Sequence, residues 1–191
     1  MNRCKGDLTV IGLGYVGLPL AQNACQNGYR VTGFDTDKDT VIDLGNGISH
    51  IDGVSDIDIA EMLKAGFRPT DEPGRIEESD VVVICVPTPL NEDGVPDLTA
   101  VRQATKSVAS RLRAGTLVVL ESTTYPGTTE EIVKPILEQG SDLEAGVDFY
   151  LAYSPERIDP GNQIWTLTNT PKVVGGLTEQ CLEQAVKFYE Q

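Results

Sequence analysis

Three glycines in the spacing G-x-G-x-x-G, Gly12, Gly14 and Gly17, directly follow the apolar run Leu8-Thr9-Val10-Ile11. The run is too short for a helix and rich in β-branched residues, so it predicts a buried parallel strand. The glycines then differ in what they allow. Gly12 permits a tight turn, Gly14 lets a diphosphate approach the backbone, and Gly17 lets the next helix pack on the strand. That helix is expected to run to about Asn27, with Val16, Leu20 and Ala24 on one face and Gly28 as its stop. Pro19 is tolerated because the first turn has no intrahelical use for its N–H. The free N–H groups and the positive dipole end of such a helix would hold an anionic diphosphate.

On its own the glycine triplet is a weak signal, since a glycine turn need hold no ligand. Here the context it requires is present. A second strand, Arg30-Val31-Thr32-Gly33-Phe34, follows the helix and ends in Asp35. A carboxylate roughly 20 residues past the glycines can accept hydrogen bonds from the adenosine ribose hydroxyls. It also repels a 2′-phosphate, so the expected cofactor is NAD rather than NADP; Lys38 is the one nearby residue that opposes this.

The formal charge of −14 argues against nucleic acid or an anionic membrane as a partner. It also means that an anionic ligand has to be held by local backbone dipoles and a few basic residues. No stretch reaches eighteen apolar residues and the N-terminus has no apolar signal core, so a cytoplasmic protein without a membrane span is expected. Cys4, Cys25, Cys85 and Cys181 form no C-x-x-C pair, which favours free thiols over a disulfide. No metal site is expected.

Beyond Asp35 the pattern predicts a short helix over 37–47, a loop carrying His50, a helix over 57–65 and an edge strand over 67–70. The chain's only histidine, His50, is expected to face solvent rather than act as a base. Val81 to Val86 is an unbroken apolar run, hence a central strand covered on both faces, with Cys85 as an inert core thiol. Pro87-Thr88-Pro89 ends it. A helix over 98–112 with Asp97 as N-cap, a strand over 116–120, and a helix over 128–139 with a capping-box-like start follow. A strand over 149–153, a last short strand over 172–174 and a helix over 178–189 complete the chain. Strands alternate with helices and no repeat intervenes, which predicts a doubly wound α/β fold of Rossmann type, a mostly parallel sheet with helices on both faces.

Ligands bind such sheets at the carboxyl ends of the strands. Thr88, then Ser122 and Thr123, then Glu156 stand at three of those ends. A hydroxyl and a carboxylate beside a hydride acceptor can orient an alcohol and move its proton.

In these residues the chain resembles the nucleotide-sugar 6-dehydrogenases, the family of UDP-glucose, UDP-N-acetylglucosamine and UDP-N-acetylmannosamine dehydrogenases. The resemblance covers essentially the whole chain. It rests on four blocks in order: Gly12 to Ala21, Val86 to Leu90, Glu121 to Thr129 and Ser154 to Asn162. The last two blocks look more like the UDP-N-acetylhexosamine branch. The resemblance implies a four-electron oxidation of a sugar C6 alcohol to a carboxylate by two NAD⁺ in turn, with a cysteine holding the aldehyde and then a thioester. It implies an acid/base role in thioester hydrolysis for Glu156, and a hydroxyl beside the reacting centre and nicotinamide for Thr123. Cofactor contacts are implied for Gly12, Gly14, Tyr15, Val16, Gly17, Asp35 and Thr88. The partners implied are a nucleotide-sugar substrate and, for the full-length form, a second copy in a homo-oligomer.

Two positions depart from that pattern. Thr40 stands where the family often has Lys or Arg near the adenosine ribose. None of the four cysteines lies in the G-x-C-F/L-P-K-D-like block of the family nucleophile, which follows a long central helix. The expectation is therefore an NAD-binding domain over 1–191, with the central helix and sugar-nucleotide domain absent, as a shortened piece or a truncated reading frame. A free-standing NAD-binding module that senses or scaffolds remains the alternative. A hydroxyacid-type dehydrogenase fits less well, because the Ser154–Asn162 block has no place in it.

Asp35 yields the first prediction: the chain binds NAD more tightly than NADP, and Asp35→Ala narrows the gap. Titration with both cofactors checks it, and equal or tighter NADP binding would overturn it.

Overall fold

The computed structural model describes residues 4–157 and 169–190. Seven strands form one sheet: β1 (Asp7–Ile11), β2 (Arg30–Phe34), β3 (Arg68–Thr70), β4 (Val81–Ile84), β5 (Leu117–Leu120), β6 (Tyr150–Tyr153) and β7 (Gly175–Gly176). Their order across the sheet is β3-β2-β1-β4-β5-β6-β7. All pairings are parallel except β6 with β7. The helices are α1 (Gly17–Gln26), α2 (Lys38–Gly45), α3 (Asp56–Lys64), α4 (Thr99–Ala109), α5 (Lys134–Ser141) and α6 (Glu179–Tyr189). The order reverses between β1 and β4, and that switch opens the crevice where such folds take ligands.

The apolar runs predict burial on both faces, and alternate residues along each strand do enter two separate cores. Leu8, Val10, Val31, Val83 and Val119 pack with α1, α3 and α6 through Leu18, Ala21, Ile59, Met62 and Ala185. Ile11, Val82, Ile84, Val118 and Leu120 pack with α4, α5 and the turn before α5 through Val101, Val108, Leu137 and Val133. Val82, Val83, Ile84, Val118, Val119 and Leu120 are wholly buried. Fully burying one such side chain stabilises the fold by about 1.5–3 kcal/mol, which makes β4 and β5 the centre of both cores. All four cysteines are free, three of them buried. No helix among the described residues is long and apolar enough to cross a membrane.

Four details differ from the sequence expectations. The last strand is Gly175–Gly176 rather than 172–174, and it runs antiparallel to β6. Lys172 instead turns inward to a buried carboxylate. The helix expected over 128–139 is split into a wide π turn, Thr129–Val133, and α5. Pro135 has no N–H to give the Glu131 carbonyl, so the ladder slips to the i→i−5 bond that Lys134 N–H makes with Thr129 O. No capping box forms there: the Thr128 hydroxyl donates to Tyr125 O at 2.8 Å. α4 starts one residue later than expected, with Leu98 at the cap position, yet Asp97 Oδ1 still accepts the Thr99 N–H at 2.8 Å. Ile158 to Asn162, the tail of the fourth block, lies outside the described residues.

A full capping box does form at α3, where Ser55 Oγ accepts the Asp58 N–H at 3.2 Å and Asp58 Oδ2 accepts the Ser55 N–H at 2.8 Å. Ser55→Ala should lower the unfolding free energy by about 1 kcal/mol, the usual worth of such a cap. Urea denaturation measures this; an unchanged midpoint would mean the cap is redundant.

Candidate functional site

β1 delivers the chain into the glycine turn at the crevice, and the turn is built by contact rather than by flexibility. Gly12 has φ of 89°, a conformation that L side chains rarely adopt. A Cβ on Gly17 would lie 1.8 Å from Gly12 O, so α1 can rest on the turn only without one. At Gly14 the opposite holds: a Cβ there would meet nothing within 4 Å, so the backbone faces open space. α1 has no side-chain cap and no acidic residue in its first turn, whereas α2, α3 and α6 are each capped by a side chain. Uncapped N–H groups, a positive dipole end and an open glycine backbone fit the diphosphate of a dinucleotide.

Asp35, at the end of β2, is already engaged. Its Oδ2 accepts the Leu13 N–H at 2.8 Å and its Oδ1 accepts the Asp37 N–H at 3.0 Å. Two oxygens offer about four lone-pair sites, so the carboxylate can brace the glycine turn and still accept from a ribose. Lys38 is 78% exposed along its side chain and pairs with Asp71 at 3.6 Å, which turns it toward the outer edge of the sheet.

A cleft of about 600 Å³ runs along the carboxyl ends of β1, β2, β4 and β5. Among its lining residues are Gly12, Gly14, Tyr15, Val16, Asp35, Thr88, Thr123 and Glu156. The fold therefore brings together every site residue expected from the sequence except Gly17, which is buried beneath the turn. Tyr15 is 55% exposed at the rim. Thr88 and Thr123 are joined directly, because the Thr88 hydroxyl donates to Thr123 O. Ser122 Oγ donates to Val86 O at 2.8 Å, tying the ends of β4 and β5 a second time.

The sequence reading missed several cleft residues. His50 is exposed, as expected, yet it borders the cleft beside Asp37 and Thr40. Gln103 and Ser107 face the cleft from α4. Their i, i+4 spacing opposite an apolar stripe was the available signal. The larger omission is Glu121, which is 1% exposed. It receives hydrogen bonds from Lys172 Nζ and Tyr189 OH. Lys172 also stands 4.8 Å from the centre of the Tyr189 ring. Burial pushes the Glu121 carboxyl upward, while the Lys172 ammonium and the two hydrogen bonds favour the anion. Burial and the Tyr189–Glu121 contact hold the phenol protonated. Cys85 lies against the same cleft, and its thiol is pushed well above the ordinary range, first by burial and then by Glu121. It is a protonated core thiol, as the sequence predicts.

Residues 6–191 match the NAD-binding-domain model of the UDP-glucose/GDP-mannose dehydrogenase family. The chain is 41% identical to a UDP-N-acetyl-D-glucosamine 6-dehydrogenase of Salmonella typhi over 96% of its own length and 43% of that protein. It is 38% identical to a UDP-N-acetyl-D-mannosamine dehydrogenase of Pyrococcus horikoshii, over 95% of its length and 44% of the other. The solved structure of the P. horikoshii UDP-D-ManNAc dehydrogenase superposes with a TM-score of 0.91, covering 96% of this chain and 44% of that one, at 38% identity. A GDP-mannose dehydrogenase from Pseudomonas aeruginosa, at 28% identity over 96% of this chain and 44% of its own, superposes with 0.86. The chain thus spans less than half the length of these relatives.

Gly14 and Gly17 separate binding from folding. Gly14→Ala should leave the unfolding midpoint in place and weaken dinucleotide binding by roughly tenfold or more, because the new methyl occupies the space a diphosphate needs. Gly17→Ala should lower both, since the methyl collides with Gly12 O. Thermal melts and calorimetric titration of the two variants decide; a Gly14→Ala chain that binds normally would place the diphosphate elsewhere.

Proposed function

The chain belongs to the UDP-glucose/GDP-mannose dehydrogenase family through its NAD-binding domain, and from that premise we propose that it forms the cofactor half of an enzyme oxidising the C6 alcohol of a nucleotide sugar to a carboxylate. The observation that carries the reading is the single cleft in which the glycine turn, Asp35, Thr88, Thr123 and Glu156 converge. UDP-N-acetylglucosamine and UDP-N-acetylmannosamine are the favoured substrates and UDP-glucose the next. Support for that order comes from the UDP-N-acetylhexosamine enzymes among the relatives of 38–41% identity.

In this reading the N–H groups at the start of α1 and the Gly14 backbone hold the diphosphate, and Asp35 takes the adenosine ribose. Tyr15 and Val16 cover the dinucleotide, and Thr88 braces Thr123 at the reacting end. NAD⁺, when bound, supplies the hydride acceptor. The Thr123 hydroxyl orients the substrate oxygen beside it, and Glu156 moves the proton in the hydrolytic half. A buried, protonated Cys85 is a poor nucleophile, so the cysteine that the chemistry requires comes from a second domain bearing the sugar-nucleotide site. That domain also positions C6 against the cofactor, a contribution worth roughly 7–11 kcal/mol of barrier. Pairing of two copies belongs to the same full-length form.

Calorimetry with NAD, run beside an absorbance assay for NADH with the three UDP-sugars, tests both halves of the reading. The 191-residue chain should bind NAD and produce no sustained NADH. Sustained NADH production would show that the chemistry needs nothing more. Absence of NAD binding would remove the cofactor role, and a non-catalytic role in the whole protein would leave the free-standing binding module. In the whole enzyme, Glu156→Gln should slow the late, hydrolytic half by about 10²–10⁴-fold, the usual contribution of a general acid–base group, and the first hydride transfer far less. Stopped-flow traces with both transfers equally slowed would count against that role.

A further inference from the structure

Glu121 is the first residue after β5, and the apolar strand carries it into the interior, where its side chain is wholly buried. A buried carboxylate is retained at a cost of several kcal/mol unless it is paired and hydrogen-bonded. Here both oxygens are used: Oε1 receives Lys172 Nζ, itself only 17% exposed, and Oε2 receives the Tyr189 hydroxyl. The three residues come from separate parts of the chain. Lys172 lies on the approach to β7. Tyr189 is the last residue of α6.

The pair does more than fill the interior, because Glu121 also borders the cleft between Cys85 and Ser122. Its neighbours in sequence, Ser122 and Thr123, are bonded sideways to Val86 and Thr88 at the end of β4. Glu121, the residue that leads into Thr123, is therefore pinned to two distant parts of the chain. Cys85, Glu121 and Glu156 line the same cleft.

We propose that Glu121, Lys172 and Tyr189 form a buried clamp that fixes the Thr123 side of the cleft, and so are positioning residues for the nicotinamide half of the cofactor. The inference rests on the NAD reading above. The clamp stands at the end of β5, whereas the glycine turn and Asp35, which take the adenosine and diphosphate half, stand at the ends of β1 and β2.

ADP-ribose carries the adenosine, diphosphate and second ribose of NAD but no nicotinamide, so the ratio of the two affinities isolates the end the clamp controls. The 191-residue chain and its Glu121→Gln, Lys172→Met, Lys172→Arg and Tyr189→Phe variants are titrated with both ligands by calorimetry. Glu121→Gln and Lys172→Met should weaken NAD relative to ADP-ribose by about 5- to 50-fold, within the usual range of coupling between linked sites. Lys172→Arg should restore most of the ratio. Tyr189→Phe, which keeps the ring under Lys172 and loses one hydrogen bond, should fall between and secures the test if the charge variants do not fold. A purely structural role would weaken both ligands equally or change neither, and either result overturns the clamp. A wild-type chain that binds neither ligand overturns the cofactor reading itself, and the clamp with it.

Discussion

The contact of α1 with the glycine turn sets the geometry on which the rest depends. Gly12 O lies 1.8 Å from where a Gly17 side chain would begin, so the helix is seated directly on the turn that ends β1. That seating aims uncapped N–H groups along the crevice, and Asp35 locks it by accepting the Leu13 N–H from the end of β2. The same carboxylate thus belongs to the turn's own structure and to the lining of the cleft. Such double use fits a side chain that is short, anionic and at a strand's end.

The two halves of the cleft are built by different physics. At the β1–β2 end the determinants are backbone groups: glycine conformation, a helix terminus and one carboxylate on main-chain N–H groups. At the other side they are side chains tied across strand ends, Thr88 to Thr123, Ser122 to Val86, and the buried Glu121 with Lys172 and Tyr189. Backbone sites of the first kind bind many dinucleotides alike. Side-chain lattices of the second kind can be tuned without disturbing the sheet.

A chain of net charge −14 that binds an anionic cofactor has to shield it locally. The first turn of α1 carries no acidic residue, and the acidic side chains nearest the crevice are turned to fixed partners: Asp35 to main-chain N–H groups, Asp37 to the α2 N-terminus, Glu121 to Lys172. Glu156 apart, which lines the cleft, most of the remaining negative charge lies on solvated surfaces, where ionic screening over a Debye length of roughly 8 Å weakens it.

Much of this was legible in the residues alone. The apolar runs at Val81 and Leu117 could only be strands covered on both faces, and strict alternation with helices left a doubly wound sheet as the outcome. The glycine spacing and Asp35 marked residues that the fold brings into one cleft, because those features act through the backbone and through neighbours in sequence. Pro135 was also in view, yet its consequence, a widened turn before α5, depended on which carbonyl it left without a donor. What the sequence could not give was the company of Glu121. A glutamate after an apolar strand reads as the start of a loop, and nothing nearby in sequence reveals that Lys172 and Tyr189, 51 and 68 residues further on, meet it in the interior. Local chemistry determined the glycine turn and the elements; only the packing of distant elements decided which charge is buried, because a buried charge is tolerated only where the fold brings its partners.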